Sequence, residues 1–363
     1  MHILQNQFFR YNKFEFNNIN KLYNIIKMTS KGAVGILNMG NTCFAASVFQ
    51  ALRSIPELSA YILKNDMDVE CKDAESKEGQ ITVAYKDLIK TLFSGHIGDV
   101  CRPAGFYDTL KDVVKDTIYE QFSQRIPNDA HEFTVYLLDQ LHEGMKRPFN
   151  MSNKKIGGLS PSQNAWYTQF NKSYSPLTDL LFGLEHIDFI CRNCNNKSTK
   201  WEVFNMIKVG FNNTTQFNIN DMLQNEMKHI DTLEDYQCDS CNKRTIVDIH
   251  RSIWKLPHIL IIVIRRFNEM GNKEHTSVDI STTLYPSQIF SKDSPEPSKK
   301  YSYNLISIVN HHGSHFGGHY TSAAVNPVDS QWYFYDDESV VPFNTQRLSE
   351  FGSNVYIAIY RKT

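Results

Sequence analysis

Apolar positions along residues 43–56 fall at Phe44, Val48, Ala51, Leu52 and Ile55, the spacing of one helix face, and Pro56 closes the run. Asn41 or Thr42 stands where it can cap that helix, which puts Cys43 in the first turn. A second helical pattern runs through NDAHEFTVYLLDQLHEGM (128–145), with Phe133, Leu137 and Leu141 on one face. Asp129 with Glu132 three residues on gives it an N-terminal capping signal. Up to about residue 145 the patterning stays mainly helical, broken by the polar stretch KDAESKEGQ, and NKKIGGLSPSQN (153–164) reads as a surface loop. From Leu180 onward the period changes. HILIIVIRRF (258–267) is a continuous branched apolar run, as expected of a strand buried on both faces. YNLISIVNHH, HYTSAAV, QWYFYDD and NVYIAIYRK are further short strands, and the stretch 271–302 is polar connection containing Ser and Pro. A helical lobe followed by an antiparallel β lobe predicts an α+β fold with a cleft between the lobes. Ahead of it, residues 1–30 form an N-terminal extension in which Ile19, Leu22, Tyr23 and Ile26 make one short helical face.

Composition narrows the classes. A chain of 363 residues with 41% hydrophobic and 12% aromatic content can form one large or two ordinary folded domains. A formal charge of −1 argues against a general polyanion binder, so no nucleic-acid partner is expected. No apolar run is long enough to span a bilayer, and the N-terminus lacks the basic-then-apolar order of a secretory signal. Seven cysteines, four of them in two C-x-x-C pairs, indicate metal or redox usage in a reducing, intracellular setting, cytoplasmic or nuclear.

Three groups of residues carry chemistry. Cys43 is either a buried small hydrophobe or a reactive thiol. The second reading draws on its helix-start position, where unpaired N–H groups favour a thiolate, and on Gly35 and Gly40 just ahead. Cys191, Cys194, Cys238 and Cys241 have the spacing of two knuckles around one structural Zn²⁺, with 43 residues between the pairs requiring a long hairpin or an insertion. His319 follows Gly317-Gly318 at the start of a strand, and Asp336 and Asp337 end the next one. A hairpin would bring carboxylate and imidazole within reach, as an orienting Asp requires. His311, His312 and His315 are rivals for the same role.

These blocks, in order, resemble those of the ubiquitin-specific proteases, papain-like cysteine proteases whose fold is described as fingers, palm and thumb. The likeness runs from about 33 to 362 through GILNMGNTCF, NDAHEF, CRNCNNKST, YQCDSC, LPHILIIVIRRF, GGHYTS and WYFYDDESV. It implies a helical thumb at about 36–150, zinc-bearing β fingers at about 184–252 and an antiparallel β palm over most of 253–363. It further implies a deubiquitinating thiol protease, with Cys43 as nucleophile, His319 as general base and Asp336 as its orienter. Asn38 would donate to the oxyanion with Asp337 in support, and Asp129 and Glu132 would grip the basic ubiquitin tail. Gly318 and Tyr320 would face the substrate, the glycines at 313, 317 and 318 leaving room for its terminal Gly-Gly. The partners implied are ubiquitin and ubiquitinated proteins or polyubiquitin, and the cofactor is one zinc ion with no organic group. The chain departs from the family at Ala45-Ala46, where Met-Asn is usual, and at Pro127-Asn128, where Gln-Gln is usual. Neither change touches a triad position. A catalytically silent ubiquitin-binding scaffold and a protease for a ubiquitin-like modifier are the alternatives within the fold. A zinc-ribbon nucleic-acid binder is the alternative outside it.

Overall fold

The structure is a computed structural model, and it describes residues 32–63, 74–148, 157–211, 217–268, 270–296, 302–314 and 317–363. The expectations for residues 1–30 and for His315 lie outside these. In chain order the first elements are β1 (Gly35–Ile36), α1 (Cys43–Arg53), α2 (Pro56–Ile62), α3 (Lys77–Ser94), β2 (Val100–Cys101), α4 (Ala104–Val114) and α5 (Ala130–Gly144). Then come α6 (Pro161–Phe170), α7 (Pro176–Leu181), β3 (Gly183–Cys191), β4 (Lys197–Phe204), β5 (Ile207–Val209) and α8 (Ile219–Lys228). Strands dominate the rest: β6 (Ile230–Cys238), β7 (Lys243–Lys255), β8 (Ile259–Ile264), β9 (Thr283–Leu284), β10 (Tyr303–Ser314), β11 (Gly317–Val325), β12 (Trp332–Asp336), β13 (Ser339–Pro342) and β14 (Val355–Lys362). The α+β class expected from the sequence is the observed one.

The described residues divide into two units, one of those up to 145 with 323–343, the other of those in 146–322 with 344–363. In the first, α1 is buried along its whole length rather than on one face, the signature of a central helix. Phe44 meets Phe133 edge-on at 5.2 Å, and Phe49 meets Phe106 at 4.9 Å, so α1 is surrounded by rings from α4 and α5. Pro56 opens α2 at its first position as well as closing the run before it, as proline's fixed φ allows. The β12–β13 hairpin pairs Asp336 with Ser339 across a two-residue turn, with Asp337 at φ 49°. Ala33, Ala324, Tyr333 and Tyr335 form a small core beside it.

In the second unit β8 is buried at every position, as the sequence predicts. It lies between β14, antiparallel, and β5, parallel, so both faces and both edges are covered. β14 in turn pairs with β10, and β9 with the start of β10. A separate four-stranded sheet runs β4-β3-β7-β6. Its strands answer how the chain crosses the 43 residues between the cysteine pairs: β4 returns, β5 joins the other sheet, α8 follows, and β6 comes back. Helix α6 corrects the expectation of a loop through residue 164. Ser160 Oγ accepts from the Gln163 N–H, Gln163 Oε1 accepts from the Ser160 N–H, and Pro161 fills the first position, a capping box already written in Ser-Pro-Ser-Gln.

Candidate functional site

In the first unit the segment 35–43 is held against the β12–β13 turn. The Ile36 N–H donates to the Asp337 carbonyl at 2.8 Å, and the Asn38 N–H donates to Glu338 Oε1 at 3.1 Å. Gly35 is required by this approach, since a Cβ there would stand 2.2 Å from the Glu338 carbonyl oxygen. Gly40 at φ 105° and Asn41 at φ 54° then turn the chain into α1, in the left-handed region that Gly and Asn tolerate. Thr42 occupies the cap position without a side-chain cap bond. Its Oγ1 instead accepts from the Met39 N–H at 2.8 Å and lies 3.2 Å from Asn38 Oδ1. This differs from the expected capping role and has a physical reason. The hydroxyl is drawn backward into the loop, where Asn38 Oδ1 also accepts from the N–H groups of Gly40 (2.9 Å) and Thr42 (3.2 Å).

That arrangement fixes the Asn38 carboxamide. With its oxygen committed to loop donors, its Nδ2 donates to Asp337 Oδ2 at 2.8 Å. Cys43 follows as the first residue of α1 and is 7% exposed. The helix start supplies N–H groups and positive potential beside the thiol. Tyr107 of α4 is a neighbour that no sequence motif marked. Burial pushes its phenol above the ordinary range; a hydrogen bond with the Thr42 side chain opposes the shift, and Cys43 and Asp337 add to it. Asp129 caps α5, its Oδ1 accepting from the N–H groups of His131 (2.7 Å) and Glu132 (3.0 Å), while Glu132 is exposed on the first turn.

In the second unit His319 lies near the start of β11, half-buried, and Tyr320 is buried. Gly318 is closely confined: a Cβ would come 2.3 Å from His311 Nε2 and 2.4 Å from the His312 carbonyl oxygen, whereas at Gly317 it would meet nothing within 4 Å. His311 is 4% exposed, its ring packed on Tyr320 at 4.6 Å and Phe267 at 5.5 Å. Lys273 Nζ donates to the His311 carbonyl at 2.5 Å. Burial, with Arg266 adding to it, lowers that ammonium to about 8.

The four paired cysteines converge at the tips of two hairpins, β3–β4 and β6–β7. Their Sγ atoms lie within 4.8 Å of one another, with Cys191–Cys241 at 4.0 Å and Cys194–Cys238 at 3.8 Å. A tetrahedral ion with Zn–S bonds of about 2.3 Å demands S···S edges of about 3.8 Å, so the cluster can bind one zinc ion. The knuckles repeat each other. Asn195 (φ 56°) and Asn242 (φ 52°) follow the second cysteine of each pair and donate back to the Cys191 and Cys238 carbonyls, both at 2.8 Å. Burial opposes ionisation of Cys241, but the Lys243 backbone N–H and neighbouring side chains outweigh it and bring the thiol to about 7.

The family model for ubiquitin carboxyl-terminal hydrolase matches residues 34–360. Ubiquitin carboxyl-terminal hydrolase 2 of Rattus norvegicus is 25% identical over 346 residues, covering 92% of this chain and 54% of its own length. Ubiquitin carboxyl-terminal hydrolase 36 of Drosophila erecta is 28% identical over 331 residues, covering 90% and 28%. The chain thus spans about half the length of the first relative and less of the second. Among solved structures, the SAGA Ubp8/Sgf11/Sus1/Sgf73 DUB module bound to ubiquitin aldehyde matches with a TM-score of 0.69 at 20% identity, over 92% of this chain and 70% of that one. The same module bound to monoubiquitin gives 0.70. This likeness establishes the fold, helices with antiparallel-rich sheets.

Proposed function

The chain belongs to the ubiquitin carboxyl-terminal hydrolase family, and from that premise we propose that it is a cysteine-type deubiquitinase cleaving after the terminal glycine of ubiquitin. The observation that carries the reading is the fixed Asn38 carboxamide, its oxygen held by loop N–H groups and its Nδ2 by Asp337, five residues before a thiol at a helix start. In this reading His319 takes the Cys43 thiol proton, and the thiolate attacks the terminal glycine carbonyl carbon. The developing oxyanion takes hydrogen bonds from Asn38 Nδ2 and the Cys43 backbone N–H. His319, oriented by Asp336, protonates the departing lysine amine as the carbon–nitrogen bond breaks and a thioester remains. Water, deprotonated by His319, then attacks the thioester and expels the thiolate. Support for His319 over His311 comes from the packing of the His311 ring against Tyr320 and Phe267. Asp337 steadies Asn38, and Asp129 and Glu132 receive the basic tail.

The departure at Ala45-Ala46 lies in the packed interior, where the residues are 0% and 5% exposed. Small apolar residues suit that packing, and the presence of Cys43, His319 and Asp336 together favours an enzyme over a silent scaffold. In this reading the thumb is about 36–150, the fingers about 184–252, and the palm most of 253–363. Cys191, Cys194, Cys238 and Cys241 would hold a zinc ion that cross-links the finger hairpins and leaves no open coordination position. Ubiquitin joined to a protein or to another ubiquitin is the substrate.

A ubiquitin probe with a thiol-reactive C-terminus tests the reading. One adduct on Cys43 is expected, lost in Cys43→Ser while ubiquitin binding persists. Binding without an adduct in the wild type would favour the scaffold, and reaction only with a ubiquitin-like modifier would change the substrate.

A further inference from the structure

Arg53 ends α1, the helix that Cys43 begins, and its side chain is 0% exposed. The guanidinium makes four contacts with neutral oxygens. Nε donates to Gln50 Oε1 at 3.1 Å, Nη2 to the Tyr335 hydroxyl at 2.7 Å, and Nη1 to the Gly32 carbonyl and to Asn326 Oδ1. The rings of Phe93 and Tyr335 lie 5.3 and 5.5 Å from its central carbon. Burying a cation among neutral partners is costly unless every donor is used, and here the fork spans four separate stretches of chain.

Two of those stretches flank the carboxylates of the site. Tyr335 immediately precedes Asp336 on β12, whose burial alternates so that Tyr333 and Tyr335 face inward and Asp336 faces the other way. Gly32 leads into the segment whose Ile36 N–H is bound to the Asp337 carbonyl. Gly32 itself is at φ 62°, and a Cβ there would press on Asn326 and Val328 at 2.9 Å, so this entry point is tightly fitted. One guanidinium therefore holds both sides of the Asp336–Asp337 corner. An 11-residue helix separates it from the thiol by roughly 15 Å, so it touches no reacting atom.

We propose that Arg53 is a positioning residue, which by holding Tyr335 and Gly32 sets where Asp336 and Asp337 stand relative to the Cys43 helix. The proposal rests on the deubiquitinase reading for its kinetic consequence alone. Its structural consequence is independent.

Tyr335→Phe removes only the hydroxyl that receives Nη2, and Arg53→Lys keeps the charge but not the fork. With a ubiquitin–fluorophore conjugate, each should lower kcat about 10-fold at unchanged KM, since misplaced catalytic groups act on the transition state. The double variant should be no worse than Arg53→Lys, because the two act through one contact. Hydrogen exchange at the Ile36 amide reads the same coupling without turnover. It should quicken about 10-fold in Tyr335→Phe while amides of α5 keep their protection. If kcat stays within about twofold of wild type in both variants, or Ile36 exchange is unchanged in Tyr335→Phe, Arg53 is packing only and the proposal falls. A wild type that forms no product defeats the deubiquitinase reading instead, and Ile36 exchange still decides the role of Arg53.

Discussion

Asp129 has an observed role and a proposed one, which substitution can separate. Its Oδ1 takes two backbone N–H groups at the start of α5, and under the proposed function its charge would meet the basic ubiquitin tail. Asp129→Asn keeps an accepting oxygen and removes the charge, so KM should rise with kcat and melting temperature held. Asp129→Ala should do the same and also cost about 1 kcal/mol of stability from the lost cap. A wild-type KM in Asp129→Asn would confine the residue to capping. The cap was legible because Asp129 and Glu132 are neighbours in sequence. The reason for Gly318 was only half legible. The glycines announced a close approach, but the approaching groups, the His311 ring and the His312 carbonyl, belong to the adjacent strand. Tyr107 and Arg53 were illegible altogether, because their partners are distant in the chain and no local pattern encodes such a meeting.

Among elements, the two cysteine knuckles carry the clearest prediction. Each is a hairpin tip with the same left-handed asparagine, and the apolar residues packed at the junction are Val247, Phe189, Tyr236 and Ile249. Metal analysis should find about one Zn²⁺ per chain. A strong chelator should remove it, with amides at the tips of β3, β4, β6 and β7 losing exchange protection before those of α1 and α5. A metal-free protein with fully protected knuckles would remove zinc from the account. Strand β8 was readable because a run buried on every side must be apolar throughout. The route between the cysteine pairs was not, since strand order depends on which edges meet and not on either sequence alone. Helix α6 was missed for a different reason. Gly157, Gly158 and Pro161 read as loop residues, although the proline stands where a helix begins.

At the scale of the whole molecule, neither unit is a continuous stretch of chain. The helices up to Met145 are completed by residues 323–343, which supply Tyr333 and Tyr335 to the Ala33 core and Asn326 and Tyr335 to Arg53. A fragment of residues 32–148 should therefore keep helical content yet melt without a cooperative transition, having lost the partners of a fully buried arginine. Supplying residues 323–343 through a short linker should restore the transition. A fragment that melts as sharply alone would show that the helices need no such completion. The same discontinuity imposes an order of events during synthesis. At roughly 5–20 residues per second, the ribosome needs roughly 10–40 s to make the stretch from 146 to 343. For that interval the helix bearing Cys43 exists without Tyr335 and Asp337, so the nascent thiol waits beside an unfinished loop, and chaperones have that long to act on it.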